Sequence, residues 1–259
     1  MDNDKYLLSS VYNTLEILDL LSKHEELGVA DISKELNMGR ASIFRMLYTL
    51  EKKGFVHKTS NAKYKLGIKF AHYGSIVLER INDFSIAKPF LQRLRDEHNL
   101  TTHLAILDDD YNIIFMAKEL SKATIQMTSK VGAKLPAYCT GTGKVLLASR
   151  LDSELEEKIK SFELKRLTAE TITDSNKLIE ELNRIKEKGY GADLEESEIG
   201  LTCFAAPVKD ITGKVIAAIS ISGASKVMVQ NKEALVGSLK ETASEISKAM
   251  GYKGAVALA

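Results

Sequence analysis

Apolar residues recur at spacings of three and four between residues 11 and 22, which puts Val11, Leu15, Leu18 and Leu21 on one side of an α-helix. A shorter helix follows over 29–36, with Ile32 and Leu36 sharing a side. Asn37-Met38-Gly39 interrupts the pattern, and Gly39 is the residue expected to take the positive φ of a tight turn. A third helix is predicted over 40–53, closed by Gly54 at the C′ position. Residues 55–58 and 64–66 then flank the turn-forming Ser60-Asn61 as a small hairpin. Helix, helix, turn, helix, hairpin is the order of a winged helix-turn-helix. Next, Phe70, Tyr73, Val77 and Ile81 again fall at spacings of three and four, the apolar stripe of a linking helix over 68–82.

The rest of the chain mixes both periods. Phe90, Leu91 and Leu94 mark a helix ending near Asn99, and strands over 101–107 and 113–120 flank the turn Asp108-Asp109-Asp110. Residues 125–129 read as a third strand. Helices are expected over 142–149, 153–161 and 175–188, the last stopped by Gly189. Strong strands over 203–209 and 215–222 flank Asp210-Ile211-Thr212-Gly213, and an amphipathic helix over 231–250 closes the pattern. Strands joined by hairpins, with helices packed outside, predict an α+β fold with a mostly antiparallel sheet. The expected organisation is a winged helix-turn-helix domain over 1–67, a linker helix over 68–83 and a larger domain over 84–259.

Composition narrows the classes. The chain has 259 residues, 44% hydrophobic and 27% charged, which is ordinary for a globular protein and rich enough in apolar material to fill a core. No run approaches the roughly 18 apolar residues of a membrane span, and the acidic start resembles neither a signal nor a transit peptide, so a cytoplasmic location is expected. Cys139 and Cys203 are too far apart for a paired zinc motif or a disulfide scaffold, and neither a metal nor a cofactor is expected. No repeat is evident. The net charge of +1 conceals a strong asymmetry. Residues 1–33 carry two Lys/Arg against seven Asp/Glu, a net of −5, whereas residues 34–69 carry nine against two, a net of +7. A short basic block in a neutral chain is where a polyanion would bind.

That block contains the third helix. With Ile43 at the centre of the buried side, Met46, Leu47 and Leu50 fall beside it, while Ala41, Arg45, Tyr48 and Lys52 fall opposite, flanked by Ser42, Phe44 and Thr49. A recognition helix needs this division. Arg45 has the planar fork that bonds O6 and N7 of guanine, and Ala41 and Phe44 suit a thymine methyl. Arg40, Ser42 and Tyr48 complete the expected DNA-reading set. In the hairpin, Lys58, Lys63 and Lys65 would contact phosphates, which position the protein without specifying sequence. The alternative is an ordinary solvated helix face, which would leave the coincidence of motif, hairpin and charge unexplained.

From Ile32-Ser33-Lys34-Glu35-Leu36 through Arg40-Ala41-Ser42-Ile43-Phe44-Arg45-Met46-Leu47, the chain resembles the DNA-binding helix pair of the IclR family of bacterial transcription regulators. Three further stretches agree: Gly132 through Ala148, Gly189-Tyr190-Gly191 to Cys203, and Ala205-Ala206-Pro207-Val208 to Gly223. The resemblance covers essentially the whole chain, in order. It implies a winged helix-turn-helix, a linker helix whose stripe fits dimer formation, with packing inside the chain as the alternative, and a GAF-like C-terminal domain binding a small metabolite. It implies too a homodimer or dimer of dimers on a palindromic operator near a catabolic operon, with repression the expected mode.

Cys139-Thr140-Gly141-Thr142-Gly143-Lys144 invites a phosphate-loop reading that fails, because Tyr138 stands at the first Gly position and Val145 follows Lys144. The dinucleotide fingerprint fails also, with Leu146 at its third Gly position. What remains is a Gly/Thr turn opening a helix, either an anion-binding helix start or simply a Thr-capped core helix with close-packing glycines. By resemblance the effector pocket comprises Met127, Gly141, Thr142, Asp193, Leu201, Cys203, Ser220 and Ser222. Thr142 stands where the family often has an apolar residue. Ser220 and Ser222 share one side of a strand by period two, so both can enter one cavity. The segments 162–173 and 189–191 are similar to the branch that senses sugar acids such as 2-keto-3-deoxygluconate, which makes such an acid the expected effector and an aromatic acid the alternative. A thiol–imidazole enzyme built from Cys139 or Cys203 with His103 lacks supporting spacing, so no catalysis is expected. A metabolite sensor without DNA binding is the competing class, and it would leave the basic block without a role.

Overall fold

The computed structural model describes residues 6–80, 84–121 and 130–254, the side chains of 77–80 excepted. The expected strand over 125–129, Met127 and the stripe residue Ile81 therefore lie outside the described residues, as does the side chain of Val77. The chain divides into two compact units, residues 1–83 and 84–259. No helix among the described residues is long and apolar enough to cross a membrane.

The first unit runs α1 (Ser9–Ser22), α2 (Val29–Glu35), α3 (Arg40–Lys52), β1 (Val56–Lys58), β2 (Tyr64–Leu66) and α4 (Lys69–Arg80). Its core gathers Ile17, Leu21, Ile32, Ile43, Leu47, Leu50, Val56 and Tyr64. The wing is antiparallel, pairing Val56 with Leu66, and Leu27 extends it by exchanging backbone bonds with Tyr64 at 2.8 and 2.9 Å. Two expectations need correction. Asn37 takes the positive φ (51°), whereas Gly39 sits at φ −62° as the cap before α3. Asn tolerates the left-handed region, so the turn does not require glycine there. The α1 stripe is not wholly core. Ile17 and Leu21 are buried, but Val11 and Leu15 remain 52% and 54% exposed. On α4 the stripe begins as intrachain packing, for the Phe55 ring lies 5.3 Å from Phe70 and 5.7 Å from Tyr73.

In the second unit, α5 (Lys88–His98), β3 (Thr101–Leu107), β4 (Asn112–Glu119), β5 (Lys134–Pro136) and α6 (Gly141–Arg150) come first. They are followed by α7 (Ser153–Ile159), α8 (Ser175–Lys188), β6 (Gly191–Leu194), β7 (Leu201–Lys209), β8 (Val215–Ala224), α9 (Ser225–Gln230) and α10 (Lys232–Ala249). The six strands form one sheet, in the order β5-β4-β3-β8-β7-β6, antiparallel at every pair. Helix α6, backed by α8, packs on one face, while α5 and α10 pack on the other. The α+β expectation therefore holds. The Asp108 turn is a hairpin clamp: its Oδ1 accepts the amides of Asp110 and Asn112, and its carboxylate pairs with Lys134 at 2.8 Å.

Candidate functional site

Helix α3 divides as its sequence predicts. Ile43, Leu47 and Leu50 are buried and Met46 half-buried, while Arg40, Ala41, Phe44, Arg45 and Tyr48 are exposed. Ser42 is half-buried, and with Arg45 it lines a groove of about 930 Å³ between α3 and α1. Phe44 and Tyr48 stack, with ring centroids 6.4 Å apart, and Lys52 places its Nζ 5.2 Å from the Tyr48 ring. On the wing Lys58 and Lys65 are exposed, but Lys63 is half-buried and paired with Glu26 at 3.3 Å.

In the second unit, strand register collects most of the carried-over residues. Asp193, Cys203, Ser222 and Thr101 form one row across β6, β7, β8 and β3. Two residues along, Ala205, Ser220 and His103 form the next row on the same face. Helix α6 lies over these rows. A Cβ added at Gly141 would lie 3.2 Å from the Cys203 sulfur, and one at Gly143 would lie 2.3 Å from the Ala137 carbonyl oxygen. Both glycines thus let the helix approach its surroundings, and Thr140 caps it by accepting the Gly143 amide at 3.2 Å. Thr142, Leu201, Ser220 and Ser222 are buried here as well.

Beside this face lies a cavity of about 320 Å³, with Phe115, Lys130, Cys139, Thr140, Ser197 and Glu198 in its walls. None of the carried-over residues that the structure describes is among its lining side chains. Asp193 meets the cavity through an intermediary: its Oδ2 accepts the Ser197 hydroxyl at 2.5 Å, and its Oδ1 accepts the amides of Glu196 (2.7 Å) and Ser197 (3.3 Å). The segment is strapped further by Thr171, whose hydroxyl donates to the Glu196 carbonyl at 2.7 Å. Beneath it Lys144 is buried and paired with Oε1 of buried Glu196, while Glu196 Oε2 has no hydrogen-bond partner.

The protein-family model for the bacterial transcriptional regulator IclR C-terminal domain matches residues 75–248, and the model for the IclR helix-turn-helix domain matches residues 10–60. This chain belongs to the IclR family. The HTH-type transcriptional regulator KdgR of Escherichia coli is 34% identical over 254 residues, covering 97% of this chain and 96% of that one. The HTH-type transcriptional repressor AllR of Escherichia coli is 32% identical over 227 residues, covering 87% and 83%. Among solved structures, Thermotoga maritima IclR superposes with a TM-score of 0.74 at 35% identity, covering 94% of this chain and 99% of that one. Membership makes the protein a transcription regulator, with a helix-turn-helix for DNA and an IclR effector domain for a small molecule.

The electrostatics of this IclR-family effector domain follow from burial. Asp193 and Glu196 both hold their protons more tightly than usual, because desolvation outweighs the opposing Ser197 and backbone bonds on Asp193 and Lys144 on Glu196. Burial pushes both thiols up to about 12, helped at Cys139 by Asp193 and Glu196 and at Cys203 by Asp193. His103 is driven down to about 3 by burial and then by Lys118. Neutral thiols and a neutral imidazole are poorly suited to nucleophilic chemistry.

Sequence reasoning missed Lys144, Glu196, Ser197 and the wall residue Cys139 as parts of one polar cluster. Lys144 stood inside a motif weighed as a phosphate loop, a dinucleotide fingerprint and a Gly/Thr helix start, in none of which its side chain had a partner. A lysine four residues after the Thr140 cap, among Gly143, Val145, Leu146 and Leu147, sits on a helix buried nearly all round, and that was the available signal.

Proposed function

We propose that this IclR-family protein is a repressor of a catabolic operon, working in the cytoplasm as a homodimer or dimer of dimers on a palindromic operator. A small carboxylic acid, best matched by a sugar acid such as 2-keto-3-deoxygluconate, releases or re-sets it. In this reading residues 1–67 form a winged helix-turn-helix, 68–83 a linker helix and 84–259 a GAF-like effector domain. Arg40, Ala41, Ser42, Phe44, Arg45, Tyr48, Lys58 and Lys63 meet DNA. The observation that carries this reading is the presence in one chain of two complementary surfaces. One is the exposed cationic and aromatic side of α3; the other is a sheet face of buried hydroxyls, thiol and carboxylate beside a cavity of about 320 Å³.

The cavity's size lies at the lower end of the about 300–1,000 Å³ of small-molecule sites, which favours a small acid. Lys130 offers a cation for a carboxylate, and Thr140 and Ser197 offer hydroxyls for hydroxyl or keto groups. Effector contact at Gly141, Thr142, Asp193, Leu201, Cys203, Ser220, Ser222 and Met127 remains part of the proposal, with Ser197 as the group through which Asp193 acts on the cavity. Phe115 and Leu167 in the walls favour the second reading, an aromatic acid. The exposed Val11 and Leu15 of α1, with Tyr12 beside them, support self-association.

Fluorescence anisotropy tests this reading, using DNA from immediately upstream of the protein's own gene against scrambled DNA, at two salt concentrations, with and without a panel of sugar and aromatic acids. The reading expects sequence-selective binding changed by one acid. Failure to prefer any sequence, even after selection from random duplexes, would leave a sensor without DNA binding.

A further inference from the structure

The exposed side of α3 carries two aromatic rings where a solvated helix needs none. Phe44 and Tyr48 are 49% and 50% exposed, and their planes are inclined at only 27°. Lys52, one turn further on, lies over the Tyr48 ring, so the three side chains form one ladder along the helix at i, i+4 and i+8. The core of the unit is built from Ile43, Leu47 and Leu50 on the other side and draws on neither ring. Their burial awaits a partner.

The surroundings select that partner. Arg40, Arg45 and Lys52 are all exposed around the rings, within a segment holding nine cations and two anions. A second copy meeting this face with its own would bring like charges together, whereas a polyanion neutralises them. The major groove of duplex DNA admits an α-helix, is flanked by phosphates, and offers one apolar feature, the thymine 5-methyl. The ring spacing of 6.4 Å is close to two base-pair rises of about 3.4 Å each. Arg45 belongs to the other edge of the helix, where it lines the groove toward α1. Polar and apolar readout are therefore carried on separate edges.

We propose that Phe44 and Tyr48 act as one surface that reads thymine methyls, so that each operator half-site holds two thymines within three consecutive base pairs. Lys52 positions the Tyr48 ring. The inference rests on the DNA-reading function proposed above and specifies its chemistry.

The test begins by selecting sites from random duplexes with the full-length protein. Each thymine of the enriched site is then replaced singly by deoxyuracil, which removes the methyl and keeps the pairing. Kd is measured by anisotropy for the wild type and for F44A, Y48A, Y48F and R45A. Each contacted methyl is expected to contribute about fourfold to wild-type affinity. F44A and Y48A bind the thymine duplex more weakly and lose the sensitivity to uracil at the matching position. Y48F retains it, and R45A retains it despite weaker binding overall. Because both rings are exposed, the variants keep the wild-type melting temperature. Wild-type binding indifferent to uracil at every thymine overturns the proposal, as does sensitivity that persists in both F44A and Y48A. An assembly that dissociates in F44A or Y48A while DNA affinity is unchanged also overturns it, assigning the rings to self-association. No enriched sequence at all overturns the DNA-reading function, and this inference with it.

Discussion

Acidifying the protein from pH 7 to pH 5 adds protons to the unfolded chain at His103 but hardly to the folded one. The imidazole is buried, lies 4.8 Å from the Phe115 ring, and is held at about 3 by burial and by Lys118, against an ordinary 6.5. A base whose folded pKa is depressed contributes fully above its unfolded pKa, and that contribution is lost as pH falls. Integrating proton uptake over the two units gives a loss of about 2 kcal/mol, nearly the same for any folded value below about 4. Asp193 and Glu196 act in the opposite sense, since acids with raised folded pKa values favour the folded state as pH falls. The His103 share is therefore read as a difference. Calorimetry of wild type and His103→Gln at both pH values should show the wild type losing about 2 kcal/mol more, or about 4–8 °C more in Tm of the effector-domain transition. Equal losses would refute a neutral, buried imidazole.

Lys144→Met strands Glu196 beside Asp193 without its buried cation and should destabilise by about 3–5 kcal/mol in urea unfolding, while Lys144→Met combined with Glu196→Met recovers most of that. Single and double variants of equal stability would show that the pair contributes little. Arg45→Ala should weaken the cognate operator by about 1–3 kcal/mol and relax preference at one base pair. Lys58→Ala should weaken all sequences alike and lower the salt slope by about one, with Lys63→Ala lowering it less because Glu26 already holds that ammonium. Leu15→Glu should shift sedimentation toward the monomer, and an unchanged distribution would remove the α1 stripe from any interface.

Where one period dominated a long segment, the sequence was a sufficient guide. Residues 175–188 and 101–107 are bounded as predicted, because each combines a clear period with a capping or turn residue. Short elements without that redundancy were invisible. β5 has three residues and includes a proline, β6 has four and contains Gly191 and Asp193, and α9 is a six-residue helix separated from α10 only by Asn231. Strand formation there is imposed by neighbours in the sheet rather than by propensity. Periodicity also cannot say which apolar residues a core will reach: Val11 and Leu21 share a stripe, yet only Leu21 is buried.

At the site, parity placed Ser220 and Ser222 on one face, and register then brought Cys203 and Asp193 alongside. Nothing local in the sequence could show that Asp193 would be occupied by Ser197, or that Lys144 would find Glu196 at a separation of 52 residues. Those contacts depend on how α6 and the segment after β6 meet across the sheet. The exposed side of α3 was legible because a helix of known period needs only one fixed residue, Ile43, to orient all the others.

The central claim is that effector and operator act on one equilibrium. Its most direct test measures operator affinity with and without saturating effector, then effector affinity with and without saturating operator. Linkage requires the two ratios to be equal, and the account predicts equal ratios different from one. An acid that binds the effector domain while leaving operator affinity unchanged, and whose own affinity is indifferent to DNA, would contradict it.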